Sequence, residues 1–155
     1  MIGKKFLLII FLTLVGCGYE SIYAKKNDNN FYIKEIISKG DRDINRVIIT
    51  QFPINKDDTK KIPYIIKLDS KRSKDIIAKD SLGNPSIYNI NIDVKIVVKN
   101  NKTVIKKKDF NKSFSYNSME NKFDQLKYAK NIEQSLINKI SEEILIFLTT
   151  LIYRT

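Results

Sequence analysis

Apolar and polar residues alternate most regularly in SIYNINIDVKIVVKN, residues 86–100. Ile90, Ile92, Val94, Ile96 and Val98 fall on one side, and Asn89, Asn91, Asp93 and Lys95 on the other. A period of two over that length predicts a half-buried β-strand. Upstream, IPYIIKLDSKRSKDIIAKD places Ile62, Tyr64, Ile66 and Leu68 on one face, with Lys67 and Asp69 opposite; Ser73 to Lys79 is less regular. The DSLGNPS between the two runs is turn chemistry, with Gly83-Asn84-Pro85 at its centre. Downstream, Asn100-Asn101 predicts a tight hairpin, and KTVIKKKDFNKSFSYN returns as a third long strand ending in Phe110, Phe114 and Tyr116. Residues 62–116 therefore read as an antiparallel meander with one apolar and one polar face.

The period changes on both sides of the meander. Phe123, Leu126, Ala129, Ile132, Leu136, Ile140, Ile144, Phe147 and Leu151 recur at spacings of three or four, which predicts a long amphipathic helix with Ser118 as its N-cap and Glu120 and Asp124 in its first turns. From Ile144 to Ile152 the pattern is apolar all round. That stretch is too short to span a bilayer, which takes about 20 residues, and it fits burial against the sheet or contact with a partner. At the other end, NFYIKEIIS has strand character, with Phe31, Ile33 and Glu35 on one side and Tyr32 and Ile36 on the other. KGDRDINRVIITQF predicts a short helix: Asp41 caps it after Gly40, Ile44, Val47, Ile48 and Phe52 share a face, and Pro53 stops it. INKDDTKK is a loop. The order β-α-β-β-β-α predicts an α+β two-layer sandwich: a four-stranded mixed sheet with two helices on one face. The first strand joins in parallel through a right-handed crossover. This single domain takes in residues 31–155.

The N-terminus has a different pattern. Lys4 and Lys5 precede a ten-residue apolar region, Phe6 to Val15, interrupted only by Thr13, and then Gly16 and Cys17. A short positive region, a short apolar core and a small residue are the parts of a secretory signal peptide, here residues 1–16. Leu14-Val15-Gly16-Cys17 resembles the bacterial lipobox, in which the cysteine sulfur receives a diacylglyceryl group and becomes residue 1 of the mature chain. Two or three acyl chains give stable anchoring, at roughly 0.8 kcal/mol per buried methylene. By the same resemblance Gly18, where inner-membrane lipoproteins often carry aspartate, favours the outer membrane. Residues 17–30 are polar and aperiodic and read as a lipidated tether.

Composition narrows the chemistry. Among 155 residues there is one cysteine, so no internal disulfide, and no histidine, so no histidine-based triad or metal site. The five glycines are scattered and build no phosphate loop. Asp57-Asp58 and Glu142-Glu143 are adjacent pairs that do not face each other on a helix. The expectation is a protein that is not an enzyme and needs no cofactor or metal. The formal net charge of +11 suits an anionic partner, or solubility alone. Basic clusters lie at Lys60-Lys61, Lys71-Arg72-Ser73-Lys74, Lys79, Lys106-Lys107-Lys108 and Lys112. Charge also fits a nucleic-acid module in which Phe110, Phe114 and Tyr116 stack bases, but an export signal argues against it, and no nucleic-acid partner is expected.

CGYESIY at the mature start, the arginine-bearing DRDINRVI, YNINIDVKIVV, and FSYNSMENKFDQLKYAKNIEQSLINKISEEILIFL resemble the LPS-assembly lipoprotein family LptE over nearly the whole chain. The first helix is short for that family and the lysine and asparagine content heavy. The resemblance implies a periplasm-facing outer-membrane lipoprotein that plugs an LptD-like β-barrel, assists its assembly and helps deliver lipopolysaccharide to the outer leaflet. Its partners would be that barrel, lipopolysaccharide and, through the lipid on Cys17, the membrane. The loops IIAKDSLGNPS and SYNSMENKFDQ match in position the family loops that touch lipopolysaccharide, which puts forward Lys79 and Lys122; Arg72, mid-strand among lysines, is a third candidate. The other reading is a stand-alone periplasmic lipid- or envelope-binding lipoprotein whose sheet and helices enclose a cavity.

Overall fold

The computed structural model describes residues 31–52, 62–101 and 103–152. The signal segment 1–16, Cys17, the tether, Pro53 and the loop that follows it lie outside the described residues. β1 (Phe31–Gly40), α1 (Arg42–Thr50), β2 (Ile62–Lys79), β3 (Pro85–Asn100), β4 (Thr103–Asn117) and α2 (Lys122–Ile152) follow one another in the predicted order. They form one mixed four-stranded sheet, β1-β2-β3-β4, in which β1 runs parallel to β2 and the other pairs are antiparallel.

β3 owes its central place to its alternation. Ile90, Ile92, Val94 and Ile96 have no exposed surface and Val98 almost none, all on the side that meets the helices. Each fully buried side chain of this size contributes roughly 1.5–3 kcal/mol relative to exposure. Tyr64, Ile66 and Leu68 of β2 extend the same face, and Ile44 and Ile48 from α1, with Phe52 just beyond its end, join Leu136, Ile140, Ile144 and Phe147 from α2 in one continuous core. The open side of the sheet is polar. There Asn111 Nδ2 donates to Asn91 Oδ1 (2.8 Å) and Asp93 Oδ1 (2.6 Å), and Ser115 Oγ donates to Asn89 Oδ1 (3.1 Å).

Three features depart from the simple alternation. In β1 the register slips between Ile33 and Glu35, so that Ile33 pairs with Tyr64 and Ile36 with Ile66. This bulge puts Ile36 on the core side with Ile33, where strict alternation had set it opposite. On β4 the helix-facing side carries Lys106, Lys108 and Lys112, opposite Val98, Ile96 and Ile92. These are edge-strand positions, where lysine blunts pairing with another chain. Lys108 Nζ lies 4.8 Å from the Phe110 ring centroid and Lys112 Nζ is 2.5 Å from Glu143 Oε1. At the β3–β4 hairpin Asn100 belongs to the ladder, paired with Thr103, and Asn101 takes a positive φ of 50° in the turn.

The helices start where polar side chains let them. Asp41 Oδ1 accepts from the backbone N–H of Asp43 (3.0 Å) and Ile44 (3.1 Å), as predicted for the N-cap of α1. α2 is capped by Asn121, whose Oδ1 accepts from Phe123 N–H at 2.9 Å, and not by Ser118. Ser118 instead donates its hydroxyl to Gln125 Oε1, and its backbone N–H to Ser86 O at 2.8 Å. Phe123 and Leu126, both expected in the core, are exposed. In the Ile144–Ile152 stretch Ile144, Phe147 and Leu148 are buried and Ile146 is exposed, so its main face is core. Among the described residues no helix is long and apolar enough to cross a membrane.

Candidate functional site

The helix layer leaves the end of β2 uncovered: its inward positions change from buried (Ser70) to half-buried (Arg72) to exposed (Lys74, Ile76). The second half of β2, irregular in sequence, is a strand paired to β3 whose register shifts between Ile76 and Ala78 and again between Ala78 and Lys79. A solvent-facing strand has no reason to alternate, and that explains the weak pattern.

The hairpin at this end is held by Asp80. Its Oδ1 accepts from the N–H of Leu82 (2.9 Å) and Asn84 (2.8 Å), and Gly83 N–H donates to Asp80 O at 3.0 Å. These bonds, led by the Asn84 N–H, keep the Asp80 carboxyl below its ordinary pKa. Gly83 supplies the positive φ of 85° that closes the turn. With Asp80 turned inward to the loop backbone, Leu82 stands out at 84% exposure.

The start of α2 reaches the same end, because the Ser118–Ser86 bond ties the β4–α2 connection to the start of β3. Phe123 and Leu126 project from it at 73% and 64% exposure. Ile76, Ile77, Phe114 and Tyr128 complete an exposed apolar set at this end of the sandwich. Beside it Tyr88 and Tyr116 stack with ring centroids 5.5 Å apart, and Tyr128 meets Tyr116 edge-on at 5.7 Å. Lys74 Nζ lies over both stacked rings, 4.8 Å and 5.6 Å from their centroids. The Tyr116 hydroxyl is buried without a hydrogen-bond partner. Bare aliphatic and aromatic surface with ammonium groups beside it is the complement of an anionic amphiphile.

Of the three sequence candidates, Lys79 and Lys122 stand exposed at this end, on the hairpin and on the first residue of α2. Arg72 does not join them. It lies seven residues back along β2, about 23 Å at 3.3 Å per residue. Its guanidinium is held by two carboxylates: Nη2 and Nε to Asp41 Oδ2 (2.7 and 3.1 Å) and Nη1 to Glu133 Oε2 (2.6 Å). Burial opposes the charge on Arg72, and the bonds from Glu133 and Asp41 outweigh it and raise its pKa. Sequence reasoning missed the apolar members of the site. Phe123 and Leu126 have helical spacing like the core residues that follow, and the one available signal was Leu82, an isolated leucine in a turn.

No protein-family model matches the chain, and no curated protein matches it in sequence. Solved structures do match in fold. Rare lipoprotein B from Shewanella oneidensis superposes with a TM-score of 0.60 at 9% identity, over 75% of this chain and 94% of that one. A minor lipoprotein from Acinetobacter baumannii gives 0.53 at 10% identity, over 74% and 89%. Lipoprotein B from Nitrosomonas europaea gives 0.50 at 12% identity, over 74% and 81%. The chain therefore has a fold that bacterial lipoproteins use.

Proposed function

We propose that this chain is an envelope lipoprotein of the LptE type, anchored through Cys17 to the periplasmic face of the outer membrane. There it plugs and helps assemble an LptD-like β-barrel and assists delivery of lipopolysaccharide. It acts by binding, without catalysis and without a cofactor. The observation that carries this reading is the uncovered end of the sandwich: Leu82, Phe123 and Leu126 bare to solvent, with Lys79, Lys122 and Lys74 beside them. A glycolipid with phosphates and acyl chains needs both kinds of surface, and a lysine meets a phosphate as a point charge. A barrel interior offers a partner for the polar open face of the sheet. The shared fold with lipoproteins supports the envelope assignment, and the lipobox supports the anchor.

The test is photo-crosslinking in cells from probes at Leu82, Phe123 and Lys122, with probes on the open sheet face at Asn91 and Lys95. The expected result is a crosslink to a large outer-membrane β-barrel from the sheet-face probes and to lipopolysaccharide from the end probes. Co-purification of phospholipid with no barrel adduct would favour the stand-alone lipid-binding reading instead.

A further inference from the structure

A second basic site lies away from the uncovered end, on the β1 edge of the sheet. An open cleft of about 300 Å³ is lined by Ser38, Lys39 and Gly40 of β1 and by Arg42, Asn45, Arg46 and Ile49 of α1. Three cations line it and no carboxylate does. Asp41, between Lys39 and Arg42 in sequence, is turned away to Arg72. Asp43 touches Arg46 at 3.2 Å, but both side chains are mostly exposed, and such a pair contributes little and is easily exchanged.

The local electrostatics work against the fold here. Arg42 is the first residue of α1, at the positive end of the helix dipole, where an anion belongs. Arg46 follows one turn later, and like charges four apart on a helix repel. Lys39 adds a third positive charge alongside. Asn45 is 95% buried and donates its Nδ2 to Lys39 O at 2.9 Å, which leaves its Oδ1 with no partner. Asp41 and Asp43 answer the helix dipole, but no carboxylate lines the cleft itself, and three cations gathered there with an unpartnered Asn45 Oδ1 are local rules broken of the kind that mark functional sites.

We infer that this cleft binds a phosphate monoester. A dianion would relieve the repulsion among Lys39, Arg42 and Arg46, and each guanidinium can grip two phosphate oxygens at once. The Ser38 hydroxyl offers a partner to hydroxyl groups on the moiety carrying the phosphate, and Ile49 offers it an apolar contact. The volume is at the small end for ligand sites and fits a phosphate with one sugar-sized group. The site stands independently of the function proposed above.

The test is an amide-NMR titration of the full-length chain in neutral detergent micelles at low ionic strength. Three probes are used: inorganic phosphate, glucose 1-phosphate, and bicelles with and without phosphatidic acid. Shifts concentrated in residues 38–46 are expected, with affinity reduced at least tenfold in the Arg42→Gln/Arg46→Gln variant and severalfold in Arg42→Lys. Without ligand, the double variant should melt at the same temperature as the parent or higher, because the charges removed repel each other. Tighter binding of glucose 1-phosphate than of phosphate would assign a soluble phosphosugar; a response only to phosphatidic acid would assign a lipid headgroup. Amides unmoved by all three probes, affinity unchanged in the double variant, or a double variant that unfolds would each overturn the proposal.

Discussion

Asp41 Oδ2 accepts two hydrogen bonds from Arg72, a residue 31 positions later, and the same guanidinium reaches Glu133 on α2 at 2.6 Å. One side chain thus joins the cap of α1, the middle of β2 and the outer helix. Removing it strands two partly buried carboxylates. Arg72→Ala should lower unfolding stability by about 2 kcal/mol, and Arg72→Lys, which keeps charge but loses the fork, by about half that. Urea denaturation measures both. An Arg72→Ala domain of parental stability that had lost lipopolysaccharide binding would make Arg72 a ligand contact instead.

Acid should loosen the same junction. Burial works against ionisation of Asp41, but hydrogen bonds from Ile44 N–H and Arg72, with the charge of Arg72, outweigh it and hold its pKa below the ordinary value of 3.8. A carboxyl depressed on folding contributes stability that is fully present above its unfolded pKa and is lost as pH falls through the folded one. Stability should therefore be flat above about pH 5 and decline below about pH 4. Asp41→Asn should be less stable at neutral pH and show a shallower decline in acid, measured by thermal melts across that range.

Gly40 and Gly83 both have positive φ, of 90° and 85°, yet they should respond differently to substitution. A Cβ on Gly40 would lie 1.9 Å from Ser70 O, the β2 oxygen that accepts the Asp41 N–H bond at 3.0 Å. Gly40→Ala should cost about 3 kcal/mol or more, since backbone must move. A Cβ on Gly83 meets nothing within 4 Å, so Gly83→Ala should cost only the left-handed conformation, about 1 kcal/mol. Chemical denaturation of the two variants, side by side, tests the difference.

Leu82→Ser and Phe123→Ser should leave stability within about 0.5 kcal/mol of the parent, because neither side chain packs in the core. Recovery of lipopolysaccharide or barrel from solubilised outer membrane should fall severalfold in the pair. A loss of stability without loss of capture would place these residues in the fold and remove them from the site.

The legible part of the structure is the part governed by short-range pattern. Ile90 to Val98 and the Asp41 cap were readable because alternation and capping act over a few residues. Ile36 was not, because a bulge between Ile33 and Glu35 is fixed by pairing with β2. Asn121 outcompeted Ser118 as cap because Ser118 is bonded through its backbone to Ser86. At the site, Lys79 and Lys122 were identified from a resemblance to a family and stand exposed at the β2–β3 hairpin and the start of α2. Phe123 and Leu126 were hidden by periodicity: they keep the helical spacing of the core residues that follow, and spacing alone gives no sign of which turn of a helix is left uncovered. Arg72 looked like any cation in a basic run, since Asp41 and Glu133 lie 31 and 61 residues away.

β1 is the sole parallel partner among the described strands, joined to the sheet only through β2. The three meander strands can zip from two tight hairpins, whereas β1 must close a longer loop, through α1, before its first ladder bond forms. Assembly should therefore be ordered, with β2-β3-β4 and α2 as an early unit and β1–α1 added late. In reverse, amide hydrogens of Ile33 to Ile48 should exchange through an opening that leaves those of Ile90 to Val98 protected. The phosphate cleft is built wholly from this late, separable unit, so a ligand there would hold shut the part of the molecule that opens first.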